Sequence, residues 1–121
     1  MDKYKLEFKL PYLPKLPNQL MMSHWRVKQK EIKLAHSLVY SCTLKKRPTL
    51  PLKKAKLTFI RCSARQPDQD NLVFSFKHIQ DGLIKAKILV DDNPNVVLDT
   101  HYSWKKGPQK SGHCLVTVEE V

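Results

Sequence analysis

Of the eleven acidic residues in this 121-residue chain, five fall between positions 68 and 92: Asp68, Asp70, Asp81, Asp91 and Asp92. The chain carries a formal net charge of +11. Selection for phosphate affinity alone would not concentrate repulsive carboxylates in the middle of so basic a chain. Carboxylates that converge need a cation between them. Their hard oxygen donors suit Mg²⁺, with Mn²⁺ as the alternative, and such an ion binds phosphate oxygens and activates water. A basic exterior around an acidic metal pocket has the charge logic of a phosphodiesterase acting on nucleic acid. A plainer account stands beside it. Asp70-Asn71 is good N-cap chemistry for a following helix, and Asp91-Asp92-Asn93-Pro94-Asn95 is good turn chemistry. An EF-hand is excluded, because Leu72 stands where a ligand belongs and no turn glycine follows Asp70.

Other chemistries find little support. The five histidines and three cysteines match no zinc-ligand spacing, and three scattered glycines form neither a P-loop nor a dinucleotide fingerprint. No nucleotide cofactor is expected. The basic surplus favours a polyanionic partner, because each neutralised phosphate releases condensed counterions. Charge alone does not separate DNA from RNA, an anionic membrane or a ribosomal neighbour. Lys45-Lys46-Arg47, Lys53-Lys54 and Lys105-Lys106 are each ordinary solvated surface by themselves and together a candidate DNA track. Cys42, Cys62 and Cys114, odd in number and without a CxxC pair, argue for a reducing compartment. The charged, alternating N-terminus does not read as a signal peptide. No apolar run approaches the roughly 20 residues of a membrane helix, so a cytoplasmic protein without membrane contact is expected.

With 41% hydrophobic residues, the chain can bury a core as one domain. Tyr4, Leu6, Phe8 and Leu10 alternate with charges, predicting a half-buried strand. The proline-rich PYLPKLPNQL is an extended loop, and Ser23 stands where a helix N-cap should be. From Trp25 to about Leu44, Trp25, Ile32, Leu34, Ala35, Leu38, Val39 and Cys42 form the inner stripe of an amphipathic helix. Lys28, Lys30, Lys33 and His36 then lie outside. Residues 55–62 form a second strand, with Leu57 and Phe59 inward and Ile60 a further candidate. Residues 71–88 hold a second helical pattern built on Leu72, Phe76, Ile79, Leu83 and Ile84. The polar turn DDNPN precedes a strand (VVLDTHYSW), a hairpin connection (KKGPQKSG) and a last strand with Cys114, Val116 and Val118 on one face. The order β-α-β-α-β-β predicts an α/β (α+β) domain with a mixed four-stranded sheet and two main helices. Trp25 and Trp104 are expected in the core, with stacking on exposed bases the alternative.

The stretch from Gln66 to Val96 resembles the core motif of the RusA family of Holliday junction resolvases. It carries Asp68-x-Asp70-Asn71-Leu72, Lys77, Asp81-Gly82-Leu83 and Asp91-Asp92. The opening strand with prolines, Asn18 in the loop and His24-Trp25-Arg26 leading into a basic helix are also similar, so the resemblance covers most of the chain. Bacterial members place the lysine sooner after the asparagine-leucine pair. The phage-like form asparagine-leucine-x-x-serine-phenylalanine-lysine is a closer match. The resemblance implies a single RusA-like endonuclease domain over 1–121 that resolves four-way junctions by paired symmetric hydrolysis in DNA recombination and repair. It implies Mg²⁺ held by Asp68, Asp70 and Asp92, with Asp91 as an accessory or alternative ligand. Lys77 would neutralise charge on the transition state or grip the scissile phosphate, and Asn71 would hold a phosphate or orient a ligand. It also implies a homodimer, whose two-fold axis matches the pseudo-symmetry of the junction, in the cytoplasm of a bacterial or phage-infected cell. A nuclease for other branched DNA would use the same aspartates. A non-catalytic basic nucleic-acid-binding module would keep them as caps and turns.

Helix geometry adds a constraint. A straight helix over 71–86 would be roughly 24 Å long at about 1.5 Å per residue, keeping Asp70 and Asp92 apart. Residues 71–75 are therefore expected not to be the first turn of one straight helix. A bend would return Asp91 and Asp92 towards Asp68 and Asp70, while Asp81 would pair with Lys77 along the helix.

Overall fold

The alternation in KLEFKL becomes β1 (Lys5–Leu10), with Leu6, Phe8 and Leu10 buried and Lys5, Glu7 and Lys9 exposed. The structure, a computed structural model, describes residues 3–16, 24–107 and 112–121. After β1 come α1 (Trp25–Cys42), β2 (Ala55–Ser63), α2 (Gln69–Ser75), α3 (Lys77–Lys85), β3 (Val97–Lys106) and β4 (His113–Glu120). The strands make one mixed sheet in the order β1-β4-β2-β3, the α/β (α+β) architecture the patterning predicts. β4 is antiparallel to β1 and to β2. β3 runs parallel to β2, with Ala55 opposite Val97 and Ser63 opposite Lys106.

The expected hairpin over KKGPQKSG is a correction. β3 and β4 are consecutive, yet β2 lies between them, so they are not paired as a hairpin. Residues 108–111 of the connection lie outside the described part. The crossover through α2 and α3 returns the chain to the start of the ladder, as parallel pairing requires. β3 then occupies one edge of β2 and leaves the other for β4.

One cluster forms the core. Leu6, Phe8 and Leu10 of β1, Cys114, Val116 and Val118 of β4, and Leu57 and Phe59 of β2 meet Leu72, Phe76, Ile79 and Leu83 from the helices. Phe76 is fully buried, worth about 2–3 kcal/mol for such a side chain. Its ring lies 4.9 Å from that of Phe59, which in turn stacks on Tyr102 at 5.5 Å. The Gln80 side chain donates to the Tyr102 hydroxyl at 2.8 Å, and burial raises the pKa of that phenol.

The second helical segment is broken at Phe76, as the geometric constraint anticipated for residues 71–75. Ser75 Oγ donates to the Leu72 carbonyl at 2.7 Å, and Phe76 N bonds Val73 O at 3.2 Å, a tightened three-residue step. The serine hydroxyl engages the carbonyl an unbroken helix would give to Phe76 N. α3 ends in a left-handed residue, Lys87, at φ 62°. Around it Ile88 N reaches Leu83 O at 2.9 Å and Lys87 N reaches Ile84 O at 3.0 Å, the bond pattern of a Schellman cap.

α1 departs from its predicted stripe. Ala35 and Val39 are buried, but Trp25 is 61% exposed and Leu34 lies outward too. The helix meets the core along a narrow line, where Val39 Cγ2 would stand 3.1 Å from a Cβ on Gly82. His36, expected outside, is half-buried with Nε2 shielded from solvent. The N-cap is His24, whose Nδ1 accepts from Arg26 N at 3.2 Å. Ser23, the expected cap, lies outside the described residues. The helix's single acid, Glu31, is buried and accepts from Lys15 N at 3.0 Å and from the Tyr12 hydroxyl. With Arg61, which donates to Pro14 O at 2.7 Å, it ties the proline-rich loop to the body. Among the described residues no helix is long and apolar enough to cross a membrane.

Candidate functional site

Asp68 is the residue that caps α2, two positions earlier than expected, and its carbonyl accepts from Leu72 N at 2.9 Å. Its carboxylate makes no cap hydrogen bond. Asp70 lies in the first turn and is exposed, and its carboxylate has neither hydrogen bond nor ion pair among the described residues. Both acids sit where the positive end of a helix favours anions, but neither carboxylate is engaged. Asn71 is half-buried just behind them, and Lys77 is exposed at the start of α3, past the break.

The second pair is differently placed. Asp91 Oδ1 accepts from Asp92 N at 2.7 Å, and Oδ2 accepts from the Asn93 side chain at 3.0 Å. Asn93 Oδ1 in turn accepts from Asn95 N at 3.0 Å. The hydrogen bond from the Asp92 backbone, then that from Asn93, holds the Asp91 carboxyl below its usual value. Asp92 is exposed alongside.

The ladder separates the pairs. β2 and β3 pair over about 26 Å at about 3.3 Å per residue, with Phe76 packed at its midpoint against Phe59 and Tyr102. Asp68 and Asp70 follow the end of β2. Asp91 and Asp92 precede β3, in a turn bounded by Val90 N on Leu52 O and by Ala55 N on Val96 O. The bend at Phe76 therefore does not return the second pair to the first within one chain. Among the described residues no three His, Cys, Asp or Glu side chains gather closely enough to hold a metal ion.

The chain matches no known protein family and no curated protein.

Each acidic pair has a lysine pair at its own end of the ladder. Lys53 and Lys54 occupy the short loop beside the Asp91–Asn95 turn, between the same two backbone contacts. Lys105 and Lys106 lie opposite Cys62 and Ser63, where the chain leaves β2 for Asp68. All four lysines are exposed and form no ion pair with these aspartates. The third basic cluster is elsewhere. Lys46 Nζ reaches Glu7 O at 3.4 Å, and the Arg47 guanidinium lies 4.1 Å from the centroid of the Tyr40 ring.

Asp81 forms no salt bridge with Lys77. It acts instead on His78, whose pKa is lowered chiefly by burial and partly restored by Asp81. Sequence reasoning passed over His78, Tyr40 and the true orientation of His36. The signal for His36 was available: it lies four residues after Ile32 and three before Val39, at the edge of the buried stripe.

Proposed function

We propose that this chain is a Mg²⁺-dependent endodeoxyribonuclease of branched DNA, with four-way junctions as its substrate. The observation that carries this is the contrast between a chain of net charge +11 and exposed carboxylates at Asp68 and Asp70 that make no hydrogen bond or ion pair among the described residues. The donors fit the ion chemically, since carboxylate oxygens are what Mg²⁺ prefers. Asp68 and Asp70 would hold it with Asp92, and with Asp91 as the accessory acid. When bound, the ion would supply an activated water and offset phosphate charge. Because one chain keeps the two pairs at opposite ends of the ladder, an ion held by both takes one pair from each of two chains. A two-fold dimer provides that arrangement twice and matches two nicks across a junction. Lys77 and Asn71 would position the scissile phosphate. Lys45, Lys46, Arg47, Lys53, Lys54, Lys105 and Lys106 would hold the flanking backbone.

A second reading has its own support. Asp91 braces its turn and no three acids gather among the described residues, which suits a basic nucleic-acid-binding module whose aspartates are caps and turns. Incubating the protein with a labelled four-way junction and a matched duplex, in Mg²⁺ or in EDTA, separates the two. The nuclease gives paired symmetric nicks in the junction with Mg²⁺ only. Binding without nicks in either condition leaves the binding module.

A further inference from the structure

The outer side of α1 has no place in the site above, and its composition is unusual. Trp25, Arg26, Lys30, Lys33, Ser37 and Tyr40 are all exposed and fall within about 140° of arc at 3.6 residues per turn. Glu31 is buried on the other side, so this stripe carries no carboxylate. Two large rings stand in water there, Trp25 at 61% and Tyr40 at 51% exposure. Each is attended by a guanidinium: Arg26 lies 5.9 Å from the Trp25 centroid and Arg47 lies 4.1 Å from that of Tyr40. Beside Tyr40 a groove of about 480 Å³ runs between α1 and the end of α3, lined by His36, Ser37, Ser41 and Lys85. His36 Nε2 is shielded from solvent there and has no hydrogen-bond partner among the described residues.

We propose that this face binds unpaired nucleotides of DNA, with bases stacking on Trp25 and Tyr40 and phosphates held by Arg26, Lys30, Lys33 and Lys85. Aromatic rings interleaved with cations are what a single strand needs, because every base offers a π-face and every linkage a charge. A paired duplex hides those base faces. An apolar protein partner would want aliphatic neighbours around each ring. Here the rings are flanked by arginine, and Leu34, the one exposed aliphatic of α1, lies at the margin. The rings are about 22 Å apart along the helix at about 1.5 Å per residue, so they take bases several nucleotides apart. The inference rests on the DNA reading above but not on catalysis.

The test is fluorescence anisotropy in EDTA with three labelled probes: oligo-dT, a four-way junction and a linear duplex. Wild type is compared with Trp25→Ala, Tyr40→Ala, Trp25→Phe and Tyr40→Phe, each checked for an unchanged melting temperature. Each alanine variant should bind oligo-dT about tenfold more weakly, with duplex binding changed less than about twofold. The phenylalanine variants should stay near wild type. Unchanged oligo-dT affinity, or equal losses on oligo-dT and duplex, overturns the proposal. So does a change of oligomeric state with DNA affinity intact, which would make this face an interface between copies. If wild type binds as described but cuts no junction, the nuclease fails and this inference stands. If it cuts and the alanine variants bind and cut equally well, the inference fails and the nuclease stands.

Discussion

The two acidic pairs lie at opposite ends of one parallel ladder and do different work. Asp91 organises its own turn through two hydrogen bonds, and those bonds account for its charge and its low pKa. The Asp68 and Asp70 carboxylates have no hydrogen bond or ion pair among the described residues. An aspartate that braces a turn explains itself in a binding protein as readily as in an enzyme. One without a partner among the described residues of a chain of net charge +11 is what the proposed metal site is argued from. The case for chemistry therefore rests more on the first pair than on the second.

Four experiments sharpen or break that contrast. The largest effect should come from mixing variants. Asp70→Asn and Asp92→Asn proteins should each be inactive on a junction. Co-refolded together they should regain single nicks, because mixed dimers rebuild one of two shared sites. No recovery on mixing would confine each site to one chain. Next, Asp91→Ala should lower the melting temperature more than Asp70→Ala does, by calorimetry at pH 7. The sign follows from linkage: a carboxyl whose pKa is depressed on folding stabilises above its ordinary value, near 3.9. That contribution is lost as pH falls through the lowered folded value, so the Asp91→Ala deficit should vanish in strong acid.

A smaller gain is expected at the corner that leads to the second pair. Lys87→Gly should raise stability by about 0.5–1 kcal/mol in chemical denaturation, because glycine occupies the left-handed cap without Cβ crowding. Failure to gain would mean the turn before Asp91 is not held as described. The smallest effect concerns His78, a base whose pKa burial lowers. The penalty that burial places on the charged form is absent while it is neutral. Stability should decline as pH falls from the ordinary histidine value, near 6.5, through the lowered folded value. His78→Gln should flatten that part of the melting-temperature profile.

Much of the sheet was legible because alternation reports burial directly. Leu6, Phe8 and Leu10, and Cys114, Val116 and Val118, lie inward as their period-2 spacing requires. A break near 71–75 was expected so that Asp92 could meet Asp70 within one chain; the break is there, but the Ser75 hydroxyl makes it and the two acids stay apart. Strand order was not legible. A polar, glycine-containing link between β3 and β4 looks the same whether the strands are neighbours or β2 separates them. Local pattern carries no record of a partner far along the chain. The same holds for Glu31, which is buried because Tyr12 and Lys15 reach it from the loop. Trp25 was read as core because hydrophobicity was taken as burial, yet the narrow contact line of α1 leaves it outside. As for the candidate site, the sequence could offer its residues only as candidates, and their division between two ends of a ladder could not be read from it at all.

The most direct measurement compares Asp70→Asn with wild type on one four-way junction, reading binding and Mg²⁺-dependent cutting in the same samples. Junction affinity should be kept within about twofold, while cutting falls on the order of a hundredfold or more, as for loss of a metal ligand. A variant that binds and cuts like wild type would contradict the account, and Asp68 and Asp70 would then be no more than the acidic first turn of a helix.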